Sequence, residues 1–260
     1  MTPAEFATVL DKLSGECKFI YLHLLGEPLC HPHLEELLSL AAERDFPVCI
    51  TTNGTLLDKK GDMLLKHCDT LYKVSISLHA PEGNGDEGIK ERLSSYLDSV
   101  ITFAKRCAEG GIFAVLRLWN LDSTEGLGKN SENSVIEAAL RAEFTEPWQK
   151  RPKGYRLARN IFLEYDGLFT WPADSKAEKR ERGFCHGITQ QIGILADGSV
   201  VPCCLDSEGD ITLGNIFDKE LSEILSSERA ARMREGFARG VLSEELCQSC
   251  TYSKRFGDKK

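Results

Sequence analysis

Hydrophobic positions along this chain change repeatedly between a helical period and short strand-like runs. A period of about 3.6 residues predicts an amphipathic helix, and a short apolar run bounded by turn residues predicts a strand. The sequence therefore predicts helices at residues 2–12, 32–44, 58–67, 91–109 and 134–144, and strands at residues 19–25, 48–52, 72–78, 112–119 and 160–165. This alternation is typical of an α/β fold built on a mostly parallel sheet.

The pattern changes after residue 173. Residues 174–183 are highly charged and carry almost no apolar period, which predicts a solvated linker. Beyond it, the run from 184 to 203 predicts a β-hairpin with strands at 191–195 and 199–201, because Asp197-Gly198 is a strong turn signal. A helix at 221–237 follows. We therefore expect a large domain at residues 1–173, the linker, and a small module at residues 184–260.

Composition narrows the functional classes. The chain has 260 residues, a net charge of -8 and no basic stripe, which argues against a nucleic-acid surface. It shows no secretory signal at Met1, and no apolar stretch approaches the roughly 20 residues of a membrane helix. We therefore expect a cytoplasmic protein that binds neither nucleic acid nor membrane.

Four of the ten cysteines form two distant pairs. Cys185 and Cys203 flank the predicted hairpin, which brings them together, and Cys247 and Cys250 form a C-x2-C pair. Because disulfides are rare in a reducing cytoplasm, these pairs indicate a metal site. Four thiolates suit either a zinc ion or one [4Fe-4S] cluster, and spacing does not choose between them.

The remaining cysteines carry a different expectation. Cys204 is ambiguous, because only one of two adjacent side chains usually points into a given site. The other five each lie alone within or beside a predicted helix or strand, and we expect them to be buried as small hydrophobic residues. They are Cys17, Cys30, Cys49, Cys68 and Cys107.

The strand ends of the large domain carry the motifs of a known family. The strand at 19–25 leads into Gly26-Glu27-Pro28, which resembles the glycine-glutamate-proline motif of radical S-adenosylmethionine (SAM) enzymes. Residues 51–54 (TTNG) end the next strand as they do in that family, and residues 75–79 and 116–120 resemble its fourth and fifth strands. The resemblance implies a partial (β/α)6 barrel that lacks its first strand.

The resemblance also implies residues that bind SAM. The backbone and acid of the glycine-glutamate-proline motif would bind the amino group of SAM, while a strand serine and a strand arginine would hold its carboxylate. Glycine permits close approach, and a guanidinium matches a carboxylate with two hydrogen bonds. The implied cofactor-binding residues are Gly26, Glu27, Pro28, Asn53, Ser77 and Arg117. No catalytic residue is assigned.

The C-terminal module resembles a SPASM/Twitch-type auxiliary-cluster domain. Its C-x12-G-x4-C and C-x2-C spacings provide enough cysteines for one auxiliary [4Fe-4S] cluster, with Cys203 rather than Cys204 as a ligand. The expected ligands are Cys185, Cys203, Cys247 and Cys250. The resemblance further implies SAM, a peptide or small-molecule substrate, and a reductant such as flavodoxin or ferredoxin.

One family feature is missing from these 260 residues. Radical SAM enzymes hold a catalytic [4Fe-4S] cluster with C-x3-C-x2-C, and this sequence contains no such triplet. Either Met1 is an internal methionine and a missing N-terminal segment completes a radical SAM enzyme, or the chain is a non-catalytic iron-sulfur or zinc protein, or a degenerate remnant. On either alternative, we expect the chain as given to be unable to cleave SAM.

Overall fold

The computed structural model describes residues 1–23, 25–79, 89–121, 131–167, 171–172 and 178–256, with the backbone only at 89–92 and 131–132. These residues form two compact units. One unit combines Met1–Glu16 with Phe169–Lys260, and the other is Cys17–Leu168.

The Cys17–Leu168 unit is built on a seven-stranded sheet with helices between its strands. Its strands are β1 (Ile20–Leu22), β2 (Val48–Thr52), β3 (Leu71–Ser77), β4 (Phe113–Leu121), β5 (Gln149–Arg151), β6 (Gly154–Ala158) and β7 (Ile161–Gly167). In the other unit, helix α1 covers Pro3–Leu13. The helices of the sheet unit are α2 (Leu34–Ala42), α3 (Leu57–Leu65), α4 (Ile89–Glu109) and α5 (Ser131–Glu143), and a 3-10 turn covers Pro28–Cys30.

The sheet order is β1-β2-β3-β4-β7-β6-β5. Strands β1, β2, β3, β4 and β7 run parallel, as the alternating pattern predicts, and β6 and β5 add antiparallel strands at one edge. The α/β prediction is thus confirmed. The antiparallel hairpin was missed, because its residues are mostly polar and short strands of that kind carry little period-two signal.

The two faces of the sheet differ in chemistry. One face packs into an apolar core through Ile50, Val74, Ile76, Leu116 and Leu163, all at most 1% exposed. Side chains alternate between faces along a strand, so the intervening residues share the opposite face. That opposite face, here called the polar face, carries Thr51, Ser75, Ser77, Arg117 and Glu164 in register across four parallel strands.

The other unit contains short elements around the cysteine pairs. They are β8 (Gly193–Ile194), β9 (Ser199–Val201), β10 (Gly214–Asn215), α6 (Leu221–Leu225), α7 (Glu228–Ala238), α8 (Glu245–Ser249) and a 3-10 turn at Tyr252–Phe256. The predicted hairpin is present as β8 paired with β9, and Gly198 in its turn has a φ of 84°. Asp197 closes the turn by accepting a hydrogen bond from the Ser199 amide at 2.9 Å.

One predicted helix proves to be two. The single helix expected at 221–237 is interrupted between α6 and α7, because the Ser227 side chain accepts a hydrogen bond from the Ala230 amide and begins a new helix. The periodicity continues through the break because both helices bury their apolar residues.

Helix α1 begins with the predicted cap. Thr2 and Glu5 form a reciprocal capping box, and Leu10 on the helix is fully buried. The Nζ atom of Lys12 donates hydrogen bonds to the carbonyl oxygens of Ile216 at 2.8 Å and Lys219 at 2.9 Å. The contacts of α1 thus group it with the C-terminal residues, whereas the sequence assigned it to the barrel. The domain boundaries at 173 and 184 stay a prediction.

Within the described residues, no helix combines the length and the apolar character needed to cross a membrane.

Candidate functional site

Arg117 lies at the centre of the polar face. Its strand position pairs with Ser77 of β3 on one side and with Glu164 of β7 on the other. Its guanidinium carbon lies 4.3 Å from the centre of the Trp119 ring, a cation–π distance that holds the side chain against the sheet. The structure therefore brings together Ser77 and Arg117, the two residues predicted to hold a carboxylate.

Two histidines near Arg117 are kept neutral. Burial, together with the positive charges of Arg117 and Lys73, lowers the pKa of His23 to about 4. Burial also lowers the pKa of His79, whose Nδ1 atom lies 3.4 Å from the Trp119 amide nitrogen. At neutral pH the unpartnered Nδ1 of His23 can therefore accept a hydrogen bond from a bound molecule, whereas Nδ1 of His79 is already paired with the Trp119 amide.

Three buried polar atoms on this face have no hydrogen-bond partner among the residues that the structure describes. They are Nδ1 of His23, Oγ of Ser75 and Nε1 of Trp119, and Ser75 is fully buried. An unsatisfied buried polar group costs roughly 1–3 kcal/mol, so such groups usually bind water or a ligand. Together with Arg117, they fit a polar ligand that carries a carboxylate.

Glu27 links the ends of two strands. One carboxylate oxygen accepts hydrogen bonds from the Leu29 amide at 3.0 Å and the Thr52 hydroxyl at 2.7 Å. The other oxygen accepts one from the Asn53 amide at 2.7 Å. Glu27 therefore fixes the loop after β1 to the end of β2, a role that sequence reasoning missed because the two segments are distant in the chain.

We expect Glu27→Ala to destabilise the protein in the absence of any ligand, because three donors lose their acceptor. The expected loss is about 1–3 kcal/mol of the free energy of unfolding, measured by urea titration. Glu16→Ala, at an exposed site, is the matched control and should change stability little. Equal stability of the Glu27 and Glu16 variants would show that the hydrogen bonds of Glu27 contribute nothing.

Asn53 and Gly54 form a tight turn after β2. The Asn53 side chain accepts hydrogen bonds from the amide and hydroxyl of Thr55, so it closes its own turn. Gly54 has a φ of 78°, and a Cβ atom there would lie 2.9 Å from Ile76, so only glycine fits. Tyr96, which the sequence did not indicate, donates to the Asn53 carbonyl at 2.9 Å and holds this turn in place.

The predicted cysteine ligands meet in the other unit. Gly187 joins the first pair, because its amide donates to the Cys185 sulfur at 3.4 Å and a Cβ on it would lie 3.7 Å from Cys203. Burial, and with smaller effect the negative charges that Cys204, Cys185 and Cys250 would carry, raises the pKa of Cys203 to about 12. Because such effects act over short distances, the sulfur of Cys203 lies near those of Cys204, Cys185 and Cys250, and the assignment of metal ligands stays a prediction.

The same electrostatic effect links the remaining thiols. Burial raises the pKa of Cys247, and Cys203, Cys185 and Cys250 add to the shift. Among the described residues, no group of three or more His, Cys, Asp or Glu side chains is arranged to hold a single metal ion. The thiol sulfurs therefore lie near one another but are not arranged around a single metal position. Their number and softness fit a group that takes four thiolates.

Cys204 shares this environment. Burial raises its pKa, and Cys185 and Cys250 contribute to the rise. The structure therefore brings five thiols together where the sequence expected four, and it does not separate Cys203 from Cys204.

The prediction that the five isolated cysteines are buried is only partly correct. All ten cysteines are free thiols. Cys49 and Cys107 are buried and Cys68 is half-buried, but Cys17 and Cys30 are exposed, which contradicts the expected burial. Both exposed residues follow the end of an apolar segment, in the turn after α1 and at the last position of the 3-10 turn.

An ion-pair network around the buried Glu244 precedes the C-x2-C pair in the chain. Glu244 is 8% exposed and accepts hydrogen bonds from Arg229 at 2.7 Å and from Arg232 at 3.2 Å. Burial acts to raise the pKa of Glu244, but these two arginines hold it below its usual value. Arg229 also donates to the Asp210 and Thr212 carbonyls, which ties α7 to the loop after Cys203. No short motif marks these residues in the sequence.

Comparison with known families matches the cysteine unit. Residues 185–251 match SPASM, an iron-sulfur cluster-binding domain. A curated relative, the antilisterial bacteriocin subtilosin biosynthesis protein AlbA of Bacillus subtilis (strain 168), is 24% identical over 244 residues. The match covers 88% of this chain and 53% of AlbA, so the chain spans about half the length of that relative.

Solved structures with this architecture include two proteins crystallised with AdoMet. Native anSMEcpe with bound AdoMet and a Kp18Cys peptide has a TM-score of 0.56 at 16% identity, and the match covers 97% of this chain and 78% of that one. BtrN in complex with AdoMet and 2-DOIA has a TM-score of 0.55 at 16% identity, with 96% and 80% coverage. These likenesses show a shared fold along nearly the whole chain.

Proposed function

This chain has the fold of radical SAM enzymes and carries a SPASM iron-sulfur cluster-binding domain at residues 185–251, and we propose that it provides the SAM-binding and auxiliary-cluster parts of such an enzyme. The match of residues 185–251 to an iron-sulfur cluster-binding domain carries the proposal, and the proximity of the two cysteine pairs, whose thiols raise one another's pKa values, supports it. In such an enzyme, bound SAM would supply a 5′-deoxyadenosyl radical after one-electron reductive cleavage at a catalytic cluster, and that radical would remove hydrogen from the substrate.

The auxiliary [4Fe-4S] cluster is assigned to Cys185, Cys203, Cys247 and Cys250. Burial raises the thiol pKa values of Cys185, Cys203 and Cys247, so the free protein keeps these thiols protonated and cluster binding releases protons. The buried contacts of Glu244 with Arg229 and Arg232 support the backbone that leads to Cys247. This unit therefore holds its thiols close together before the cluster binds.

The SAM site is assigned to Gly26, Glu27, Pro28, Asn53, Ser77 and Arg117. Arg117 and Ser77 would bind the carboxylate, and the strand-end loop held by Glu27 would bind the amino group. One lone pair, on the Glu27 oxygen that accepts only the Asn53 amide, remains available for an ammonium group, because a carboxylate accepts up to about four hydrogen bonds and Glu27 already accepts three. The neutral His23 and the unsatisfied Ser75 extend this polar face beneath Arg117.

A peptide is the favoured substrate class. The curated relative is named for the biosynthesis of a bacteriocin, and one solved neighbour contains a peptide. A small molecule is the alternative, because BtrN was crystallised with 2-DOIA. A low-potential reductant such as flavodoxin or ferredoxin would supply the electron.

Anaerobic reconstitution with iron and sulfide tests this proposal. We expect the 260-residue chain to bind about four irons and to form no 5′-deoxyadenosine from SAM and dithionite, because it has one thiolate quartet and no C-x3-C-x2-C. Binding of about eight irons, or any 5′-deoxyadenosine, would contradict the expectation. Stoichiometric zinc without iron would refute the cluster assignment.

A non-catalytic cluster protein is the second candidate, because the catalytic triplet is missing from this sequence. Translation of the DNA upstream of Met1 in the same frame separates the two candidates. An open extension that encodes C-x3-C-x2-C supports the enzyme, and an in-frame stop close to Met1 supports the non-catalytic protein. An extended chain with the triplet should then bind about eight irons and form 5′-deoxyadenosine.

A further inference from the structure

The antiparallel hairpin β5–β6 concentrates positive charge in an acidic protein. Residues 147–163 contain five basic and no acidic residues, although the whole chain has a net charge of -8. The basic residues are Lys150, Arg151, Lys153, Arg156 and Arg159. Nothing in the cluster unit or in the SAM-binding loops requires this charge.

The charge lies at an edge of the sheet. Strand β5 is the last in the sheet order, and all three of its residues are exposed. Lys153 forms an ion pair with Asp166 at 3.6 Å. Among the residues that the structure describes, no carboxylate lies within 4.0 Å of Lys150 or Arg151. These two cations are therefore available to a partner.

A cavity lies beside this edge. Its volume is about 360 Å³, and its lining includes Arg151, Lys153, Tyr155, Phe162 and Glu164. Register pairs Arg151 with Gly154 and Gly154 with Glu164, so these three share a face of the sheet. Gly154 places no side chain between Arg151 and Glu164, and a Cβ there would overlap the Leu163 carbonyl, so only glycine fits at this position.

We propose that β5 and this cavity bind an extended peptide segment rich in acidic residues. An exposed edge strand offers free backbone N–H and C=O groups, to which a peptide can add as a further strand. Register places Arg151 and Phe162 on the cavity face of the sheet and Lys150 and Tyr155 on the opposite face. Successive side chains of that peptide would alternate between these two faces, so a carboxylate on either face would meet one of the two cations. The inference rests on the proposed function only in that the segment would belong to a peptide substrate.

Fluorescence anisotropy with defined peptides tests the proposal on the reconstituted full chain. A labelled peptide of alternating threonine and glutamate should bind at least about tenfold more tightly than one of alternating threonine and lysine, because opposite charges attract and like charges repel. The affinity should fall as salt is added. The same acidic peptide with N-methylated alternate amides should bind more weakly, because it cannot pair along one edge.

Paired charge reversals locate the site. Lys150→Glu with Arg151→Glu should weaken binding of the acidic peptide at least about tenfold. Lys59→Glu with Lys60→Glu, on α3 of the same unit, makes the same change in net charge and should alter binding less than about twofold. Equal effects of the two pairs would refute the site, and so would single-stranded oligothymidine that binds as tightly as the acidic peptide and displaces it.

The outcomes separate this inference from the proposed function. Normal iron binding with no preference for the acidic peptide would overturn the peptide site alone. Absent iron binding with a retained peptide preference would overturn the cluster assignment alone.

Discussion

Replacing both Cys247 and Cys250 by serine should abolish cluster binding, with iron falling from about four to below about one per chain after reconstitution. Two of four thiolates are then lost, and serine is a poor ligand for iron because its oxygen is hard and stays protonated. The free energy released by cluster binding is also lost, so the C-terminal unit should unfold at a lower temperature than in the reconstituted protein. Iron analysis and the visible charge-transfer absorption measure the first effect, and calorimetry measures the second.

Cys17→Ser with Cys30→Ser is the matched control, because both residues are exposed cysteines. This control should keep its iron and its absorption spectrum. If the double variant of Cys247 and Cys250 still bound its full complement of iron, these two cysteines would not be cluster ligands. Replacing Cys203 and Cys204 one at a time then identifies the fourth ligand. Only the variant that lacks the ligand should bind fewer than about four irons.

Arg117→Lys should weaken SAM binding roughly 10- to 100-fold, because a lysine keeps the charge but loses the two parallel hydrogen bonds that a guanidinium gives a carboxylate. The stacking of Arg117 on Trp119 is lost as well, which frees the side chain to move. Equilibrium dialysis with labelled SAM measures the affinity directly and requires no turnover.

Arg159→Lys is the control for this variant, because Arg159 is exposed at the turn between β6 and β7. It should bind SAM as the unchanged chain does. If Arg117→Lys bound SAM with unchanged affinity, Arg117 would not be part of the SAM site. A loss of folding is excluded by comparing the far-ultraviolet circular dichroism of both variants with that of the unchanged chain.

Strongly periodic segments were predictable to within a residue or two. Strand Val48–Thr52 has the bounds that its apolar run predicts, and α1 begins at the predicted proline after its threonine cap. Apolar burial and local capping are encoded within a few neighbouring residues, so a sequence displays them directly. The hairpin of Gln149–Arg151 and Gly154–Ala158 was not predictable in this way, because its first strand is exposed and polar.

The residues of the candidate sites also fall into two groups, those marked by a local sequence pattern and those brought together only by packing. The C-x2-C spacing of Cys247 and Cys250 is recognisable in the sequence. Arg229 and Glu244 lie 15 residues apart and belong to no motif. Glu27 was predictable as a family position, but its bonds to Thr52 and Asn53 depend on two strand ends being adjacent. Contacts between residues distant in the chain are decided by packing, which no local pattern contains.

By itself, the sequence determined an α/β chain with alternating strands and helices, two cysteine pairs suited to four-thiolate ligation, and a set of strand-end motifs. Only the tertiary structure decided that Cys204 lies near Cys185 and Cys250, that α1 groups with the C-terminal residues, and that the basic hairpin forms an exposed sheet edge beside a cavity. The physical reason is that periodicity and spacing record the local preferences of the chain. Burial, register and charge pairing arise only when distant segments meet.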